Sequence, residues 1–298
     1  MKRRGDPIDG VMMLDKPEGL SSNAALQIVR RLLNAQKAGH TGTLDPMATG
    51  LLPLCFGNAT KFSADLLHAD KGYEARVKLG ETTATGDREG EVTQVRSTAG
   101  ILLEDIVAAA ESFLGEIDQV PPMYSALKHQ GRALYELARQ GETIERAPRR
   151  VVIHSIEVGD FDGDAFTMKC LVSKGTYIRV LAEDIGEKLG AGAHLTALRR
   201  TRVGNLTLEG APTLDELRAL EHPQAVRAKL TSSDALLSTL VRIDLNASET
   251  IRFMHGQRLA GISGPAGRVR VYGADAGLLG TAQLDARGTL SPERLIAH

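Results

Sequence analysis

The chain has 298 residues, a formal net charge of −1 at pH 7 and 42% hydrophobic residues. That length accommodates one large domain with a smaller one attached, and the composition is that of an ordinary soluble globular protein. No apolar run approaches the roughly 20 residues of a membrane helix, and the start, MKRRGDPIDG, lacks the apolar segment of a secretory signal. The near-neutral charge gives no overall basic footprint, so a polyanion would have to be held by local patches.

The first predicted elements are a strand, a helix and a second strand. DGVMMLDKPEG is typical of a short buried strand that ends in a Pro-Gly turn, after which Ser21 or Ser22 can cap a helix. YEARVKLG alternates cleanly between apolar and charged residues, which predicts a half-buried strand of an antiparallel sheet. LEDIVAAAESFLG then predicts a helix that ends at Gly115.

The second half of the chain begins with a predicted hairpin, RVVIHSIEVGDFDGDAFTMKCLVSKGTYIRV, turning at Asp162-Gly163. Two helices follow: RVLAEDIGEKLG, and TLDELRAL with a capping box of Thr213 and Glu216. After about residue 240 the sequence changes to short strands with frequent glycine, which predicts a small separate β-barrel-like domain. Because strands and helices do not alternate as βαβ units, the predicted fold class is α+β.

The two cysteines, Cys55 and Cys170, lie in apolar stretches and are too few for a disulfide framework. They predict buried thiols in a reducing cytosol, and therefore a cytoplasmic protein.

Several familiar site patterns fail on inspection. DFDGD has carboxylates at calcium-loop spacing but lacks the glycine and the bidentate glutamate of that loop. GAGAHL follows a predicted helix instead of a strand and lacks the third glycine of a dinucleotide fingerprint. His40, His68, Asp45 and Asp65 could converge on a metal, but no His/Cys pair has ligand spacing. The sequence therefore predicts neither a metal nor a cofactor.

One carboxylate, Asp45, lies in the rigid stretch GHTGTLDPMATG, residues 39–50. The proline that follows it favours an extended conformation at Asp45. One interpretation is an Asx turn, in which the carboxylate accepts backbone N–H groups. The other is a functional carboxylate, since Tyr177 and Arg179 would share one face if SKGTYIRV were extended, and an adjacent arginine keeps a carboxylate ionised and aimed. The residues alone indicate a preorganised carboxylate.

GHTGTLDPMATGLLPLCFGNATKF resembles the catalytic motif of the TruB family of tRNA pseudouridine-55 synthases. The resemblance extends through DGVMMLDKPEGLSSN, DKGYEARVKLG, PPMYSALKHQGRALYELARQG and SKGTYIRVLAEDIGEKLGAGAHLTALRRTRVG, and covers nearly the whole chain. It implies a catalytic domain of pseudouridine-synthase type over residues 1–240, with a mixed, largely antiparallel sheet, and a PUA-like RNA-binding domain over residues 241–298. The implied partner is the T-arm of tRNA, with no membrane and no small-molecule cofactor, and the implied state is a monomer.

The family isomerises uridine 55 of the T-loop: the bond from C1′ to N1 breaks, the uracil turns, and C1′ joins C5. By this resemblance Asp45 would be the nucleophile or a sugar-activating carboxylate, as in glycoside hydrolysis. Attack at C1′, attack at C6 and a glycal route all stay open. Tyr73 would stack on the flipped uracil, Tyr177 would lie near C5, and Arg179 would pair with Asp45.

Four further residues are implied to contact the substrate, although each also has an ordinary structural interpretation. His40 would occupy the space that the flipped base vacates, and Leu198 would line the uracil pocket. Lys16 would belong to a loop near the site, and Asp87 would join the polar network around Asp45.

RNA binding should come from basic patches. Residues 121–150 correspond to an insertion that clamps the T-arm in the family, with Lys128, Arg132 and Arg139 as the main candidates. The stretch LRRTR adds Arg199, Arg200 and Arg202, and the N-terminus adds Lys2, Arg3 and Arg4. A solvated charged surface is the simpler interpretation of each patch.

Two other functions stay open at this point. One is a non-catalytic RNA-binding or chaperone protein that remodels tRNA on this scaffold. The other is a metal-dependent hydrolase, which sensitivity to EDTA would reveal.

Overall fold

The computed structural model describes residues 5–296, so the predicted N-terminal patch of Lys2, Arg3 and Arg4 lies outside the described residues. Within this range nine strands form one sheet. They are β1 (Gly10–Lys16), β2 (Ala38–His40), β3 (Thr49–Phe56), β4 (Lys71–Leu79), β7 (Gly115–Gln119), β10 (Arg149–Gly159), β11 (Ala165–Val172), β12 (Ala193–Val203) and β13 (Leu206–Thr207). Two hairpins lie outside it, β5 (Glu81–Thr83) with β6 (Val92–Val95) and β8 (Lys128–His129) with β9 (Arg132–Ala133).

The helices flank this sheet and the C-terminal strands. They are α1 (Ser22–Leu33), α2 (Ser63–Leu67), α3 (Leu103–Glu111), α4 (Leu134–Ala138), α5 (Ile178–Lys188), α6 (Leu214–Arg218), α7 (Pro223–Arg227) and α8 (Ala247–Met254), with 3-10 turns at Gly57–Lys61 and Ser233–Leu237. Between residues 5 and 296, no helix combines the length and the apolar character needed to cross a membrane.

The order of strands along the large sheet is β1-β3-β12-β4-β11-β10-β7, with β2 beside β3 and β13 beside β12. Neighbours are antiparallel except β3 and β12, which run parallel through the pairs Thr49–Arg199 and Gly50–Arg200. The predicted α+β class with a mixed, largely antiparallel sheet is therefore confirmed. The short parallel junction also places β12 beside the end of the rigid stretch that contains Asp45.

Strand β4 lies in the middle of this sheet, where β11 and β12 pair with it on either side. Its predicted alternation is confirmed, because Ala75, Val77 and Leu79 are buried in the core and Glu74 is exposed. The predicted cap of α1 is also present, since the Ser21 side chain accepts a hydrogen bond from the backbone N–H of Ala24.

One predicted boundary and one predicted conformation are wrong. Helix α3 ends at Glu111, and Gly115 is instead the first residue of β7, with a φ of 90° that glycine adopts without strain. Helix α5 begins at Ile178, so Tyr177 is its N-cap and Arg179 belongs to its first turn. Tyr177 and Arg179 are therefore not neighbours on one face of an extended segment.

The C-terminal domain is a four-stranded sheet with its own apolar core around Phe253 and Val271. Its strands pair in chain order: β14 (Val241–Asp244), β15 (Gly267–Tyr272), β16 (Leu278–Leu284) and β17 (Leu290–Leu295). The described residues show no pairing of β14 with β17, so the predicted barrel-like closure is not confirmed. Helix α8 was not anticipated by the glycine-rich strand pattern.

Candidate active site

The rigid stretch around Asp45 lies at the edge of a cavity of about 370 Å³. Residues from five parts of the chain meet in its wall: Gly42 to Asp45; Leu67, Lys71 and Tyr73; Ser125 to Leu127; Ser173 with Gly175 to Arg179; and Leu198 with Arg200. The sheet brings these parts together because β4 and β12 are adjacent and β12 adjoins β3. Of the sequence-predicted site residues, the cavity collects Asp45, Tyr73, Tyr177, Arg179, Leu198 and Arg200.

Asp45 is held by Arg179, as expected. The Nε of Arg179 donates to Oδ2 of Asp45 over 3.1 Å, and the Arg179 side chain is 4% exposed whereas that of Asp45 is 37% exposed. Within residues 5–296, no backbone N–H donates to the Asp45 carboxylate, so the Asx-turn interpretation is not supported. The carboxylate is thus aimed by a buried cation while it stays open to the cavity.

The rest of the Arg179 guanidinium is fixed by backbone carbonyls. Nη1 donates to the carbonyl of Thr85 over 2.6 Å, and Nη2 donates to that of Tyr124 over 2.7 Å. A side chain whose donors point in three directions cannot swing away from Asp45 without breaking several bonds. Tyr124 belongs to the insertion, so this hydrogen bond also ties the insertion to the site.

Asp87 supports Arg179 from behind the cavity. It is 4% exposed, and its Oδ2 lies 3.5 Å from the Nε of Arg179. Its Oδ1 accepts hydrogen bonds from the Thr85 hydroxyl at 2.6 Å and from the Glu89 backbone N–H at 3.1 Å. Asp87 therefore belongs to the polar network, as predicted, but it is not in the cavity wall.

Two tyrosines and a leucine supply the less polar walls. Burial raises the pKa of the Tyr73 phenol and of the Tyr177 phenol above the ordinary value, so both hydroxyls are protonated at neutral pH. The backbone of Tyr177 is bracketed by the buried Gln119 side chain, which accepts from its N–H over 2.8 Å and donates to its carbonyl over 3.1 Å. Leu198 is 8% exposed and lies opposite Ala75 on β4.

Lys16 is the last residue of β1, not part of a loop as predicted. Its fully buried amine donates to the carbonyls of Pro17 and Leu20 at 2.8 and 2.7 Å, and to that of Pro46 at 3.4 Å. Burial lowers the pKa of this amine to about 8, although the nearby Asp45 acts in the opposite direction. Lys16 therefore buttresses the backbone next to Asp45 from outside the cavity wall.

His40, at the end of β2, is half-buried and also lies outside the cavity wall. Its Nδ1 is buried and has no hydrogen-bond partner among residues 5–296. Burial lowers the pKa of the imidazole, and the positive charge of Arg200 lowers it further.

The prediction that Arg200 contributes to an exposed basic patch is wrong, because Arg200 is 1% exposed. Its guanidinium instead donates to backbone carbonyls of the stretch around Asp45. The available signal was the alternation of β12, which puts Arg200 on the same side of the strand as the buried Leu198.

Lys71 is a cavity residue that the sequence interpretation missed. Its amine donates to the carbonyls of Leu66, Leu67 and Ala69 at 3.3, 2.9 and 2.6 Å, and burial lowers its pKa to about 8. The available signal was the alternation of β4, which puts residue 71 on the same side as the buried apolar positions 75, 77 and 79.

The other predicted RNA-binding residues are at the surface, but not all are free. Lys128, Arg132 and Arg139 are exposed on the β8–β9 hairpin and near α4. Arg199 forms an ion pair with Asp15 at 2.6 Å, whereas Arg202 is exposed and donates to the carbonyl of Gly204.

The conceivable metal site is not assembled. His68 contacts Lys174 and Asp65 pairs with Arg268, whereas Asp45 pairs with Arg179. Across the part of the chain that the structure describes, no three His, Cys, Asp or Glu side chains come together as metal ligands.

Three family models together match most of the chain. The TruB family pseudouridylate synthase N-terminal domain matches residues 30–178, and the tRNA pseudouridylate synthase B C-terminal domain matches residues 179–238. The C-terminal region of pseudouridine synthase II TruB matches residues 242–296.

Relatives and solved structures agree with these models. The tRNA pseudouridine synthase B of Ralstonia nicotianae is 58% identical over 97% of this chain and 94% of its own length. The tRNA pseudouridine synthase B of Dechloromonas aromatica is 52% identical over 99% of this chain and 98% of its own length. The fold is similar to a chain in the crystal structure of a Cbf5-Nop10-Gar1 complex, with a TM-score of 0.74 and 27% identity over 96% of this chain and 84% of that one. A chain in the structure of an H/ACA RNP bound to a substrate RNA containing 2′-deoxyuridine gives a TM-score of 0.73, with 25% identity over 100% of this chain and 91% of that one.

Proposed function

The chain belongs to the TruB family of pseudouridylate synthases, and we propose that it converts uridine 55 in the T-loop of tRNA to pseudouridine with Asp45 as the reacting carboxylate. The enzyme is an isomerase, a tRNA pseudouridine synthase. The observation that carries the proposed role of Asp45 is its carboxylate, open to a cavity and aimed by the buried Arg179.

The reaction rearranges one nucleoside and needs no outside reactant. The bond between C1′ and N1 breaks with its electron pair leaving on the uracil, which makes C1′ electron-poor. Asp45 either forms a bond to the nucleotide or uses the negative charge of its carboxylate to stabilise the electron-poor C1′. The uracil turns, C5 bonds to C1′, the proton on C5 leaves and N1 takes up a proton. The product is an isomer of the substrate, so the proposed reaction uses no cofactor, metal or energy source.

The cavity walls match the needs of a flipped base. A uracil inside a folded loop cannot reach Asp45 unless it leaves its stack, as bases do in other enzymes that act on them. Tyr73 offers a ring face for stacking and Leu198 offers an apolar contact, whereas Tyr177 carries a protonated phenol that can relay the proton from C5 by passing its own proton to solvent as that proton arrives. Arg179 keeps the carboxylate in place while the base turns.

RNA binding is proposed to come from surfaces around the cavity. Lys128, Arg132 and Arg139 would contact the T-arm from the insertion, and Arg199 and Arg202 would contact it from β12. The C-terminal sheet would add a PUA-like RNA-binding surface. Because one chain supplies every wall of the cavity, we expect a monomer to be active, and the buried free cysteines suit the cytoplasm.

The test is a conversion assay on a folded T-arm stem-loop that carries tritium at C5 of the target uridine. Pseudouridine formation releases this tritium to water, and carbodiimide treatment followed by primer extension maps the modified position. We expect release from the position equivalent to uridine 55, in buffer with EDTA as well as with magnesium. An RNA with cytidine at that position is the matched control and should release nothing.

Absence of conversion by folded enzyme on folded RNA would contradict the proposed function. Modification at a different uridine would contradict the assignment to position 55. Equal conversion of free uridine would contradict recognition of the T-arm by shape.

A further inference from the structure

We propose that Arg200 is a positioning residue for this reaction, whose buried guanidinium fastens both sides of the loop that carries Asp45. The inference rests on the proposed role of Asp45 and adds a second arginine with a different task. Arg179 holds the carboxylate, whereas Arg200 holds the backbone from which that carboxylate projects.

The backbone carbonyls that Arg200 contacts lie on either side of Asp45 in the sequence, and its side chain also hydrogen-bonds the Tyr73 phenol. Its Nε donates to the carbonyl of Leu51 over 2.8 Å, after Asp45. Its Nη1 and Nη2 donate to the carbonyls of Thr43 and Gly42 over 3.4 and 3.3 Å, before Asp45. One planar group therefore connects the two ends of the loop, as a staple would, and limits how far Asp45 can move.

The backbone of Arg200 binds the same loop. Arg200 pairs with Gly50 in the parallel junction of β12 and β3. Gly50 has a φ of 98°, and a Cβ on it would lie 2.2 Å from the carbonyl oxygen of Arg200. The two backbones can approach so closely only because residue 50 is glycine. Both the main chain and the side chain of Arg200 therefore contact the end of the loop.

The charge of Arg200 argues against a purely structural role. Its side chain is among the largest fully buried ones, yet it has no ion-pair partner within residues 5–296. Burying a guanidinium that has no opposite charge beside it is unfavourable, so the fold gains no stability from this charge itself. The same charge contributes to the lowered pKa values of Lys16, His40 and Lys71. The positive charge of Arg200 thus disfavours the charged forms of these three neighbouring side chains. Such a cost suits a site in which the position of Asp45 matters more than the stability of the fold.

The geometry also determines which substitution is informative. Lysine keeps the charge, but its ammonium is a single point that cannot reach the carbonyls of Leu51 and Gly42 together. Methionine removes both the charge and the donors. Arg200→Lys therefore tests the hydrogen bonds that hold the loop separately from the positive charge, which the variant keeps.

A matched control exists in helix α1. Arg30 is half-buried and likewise donates to backbone carbonyls, those of Ala35 and Gln36, but these residues lie outside the cavity wall. Arg30→Met removes the same chemistry from a place unrelated to Asp45.

The experiment measures single-turnover conversion of T-arm RNA at saturating enzyme, together with filter binding and thermal melting. We expect Arg200→Met and Arg200→Lys to lower the rate per bound RNA about a hundredfold, because a small displacement of a reacting group has an effect of that size. The dissociation constant should change less than about threefold, roughly 0.65 kcal/mol. Arg30→Met should convert bound RNA at the wild-type rate.

A hydrogen-exchange measurement on residues 41–50 keeps the test decisive if Arg200→Met does not fold. Exchange in this segment should rise in Arg200→Lys and stay unchanged in Arg30→Met. A wild-type rate in Arg200→Lys would overturn the proposal, because the charge alone would then suffice. Asp45→Asn is assayed alongside: full activity in that variant would instead refute the proposed role of Asp45.

Discussion

Arg179 and Arg200 in the cavity wall are 4% and 1% exposed, and both direct their donors at acceptors far away in the sequence, whereas Lys128, Arg132 and Arg139 of the insertion are exposed to solvent. The difference follows from the cost of burying charge. An arginine in the interior is stable only where the fold supplies its acceptors, so its position is fixed by many residues at once. A surface cation is held by nothing comparable and acts through its field, which salt screens.

This contrast predicts two kinds of mutational effect. Changes in the cavity should reduce the rate of conversion of bound RNA and leave affinity nearly intact. Changes in the insertion should reduce affinity in a salt-dependent manner and leave the rate on bound RNA intact.

The largest effect is expected from Asp45→Asn. Asparagine keeps the shape of the side chain but has neither the nucleophilicity nor the negative charge of a carboxylate, so the single-turnover rate should fall by roughly a thousandfold or more. RNA affinity should stay within about tenfold of the wild type, roughly 1.4 kcal/mol, as measured by filter binding. A normally melting Asp45→Asn protein that converts uridine at the wild-type rate would refute the role of Asp45.

Arg179→Ala should rank second. Asp45 would keep its charge but lose the guanidinium that aims it, and removal of one preorganised electrostatic partner typically lowers a rate by a hundred- to a thousandfold. Single-turnover assays with tritium-labelled RNA measure this loss. Arg96→Ala is the matched control, because Arg96 pairs with Glu187 at the surface and should be replaceable without a change in rate. Equal rates in the two variants would break the proposed contrast.

Much of the fold and part of the site follow from sequence patterns. The alternation of β4, the cap of α1 and the hairpin at Asp162-Gly163 were predictable because each depends on neighbours in the chain. The contact between Arg179 and Asp45 was implied by the family resemblance, whereas the extended geometry considered for residues 177–179 is replaced in the structure by a helix start.

The missed features depend on contacts between distant segments. The alternation of β12 groups Arg200 with the buried Leu198, but it does not reveal that the donors of Arg200 meet carbonyls about 150 positions earlier, where β12 lies beside β3. The bracketing of Tyr177 by Gln119 likewise requires the assembled sheet. Local propensity carries no information about such partners, because backbone carbonyls are present at every residue.

The insertion should respond to charge removal with a smaller, salt-dependent effect. Lys128→Ala combined with Arg132→Ala should weaken T-arm binding about tenfold near physiological salt and reduce the salt dependence of the dissociation constant by about two counterions. Filter binding across a series of salt concentrations measures both quantities. Arg218→Ala, at an exposed i,i+3 pair on α6, is the control. A reduced rate on bound RNA in the double variant would show that the insertion takes part in the chemistry.

Glu183 lies between the buried groups around Arg179 and the exposed charges of the insertion. It faces a cavity of about 440 Å³ that α5 shares with insertion residues including Arg146. Burial raises the pKa of the Glu183 carboxyl to about 7; Arg179 acts against this shift, whereas Asp184, Asp87 and Glu187 add to it. Glu183 is therefore a carboxyl that the interior tolerates mainly in its neutral form.

Glu183→Gln should have the smallest effect, and one that depends on pH. Because the folded-state pKa is raised, the stability that the wild-type group contributes is complete below its ordinary value of 4.5 and is lost as the pH rises through about 7. Glutamine resembles the neutral carboxyl at every pH, so the variant should match the wild type near pH 4.5 and melt a few degrees higher, roughly 1 to 3 °C, at pH 8. Thermal melts across this range measure the difference, with Glu104→Gln as the control, because Glu104 is exposed on α3. If the difference in melting temperature between Glu183→Gln and the wild type did not change with pH, Glu183 would be solvated like the exposed charges of the insertion. Glu183 would then belong with those surface charges and not with the buried groups of the cavity.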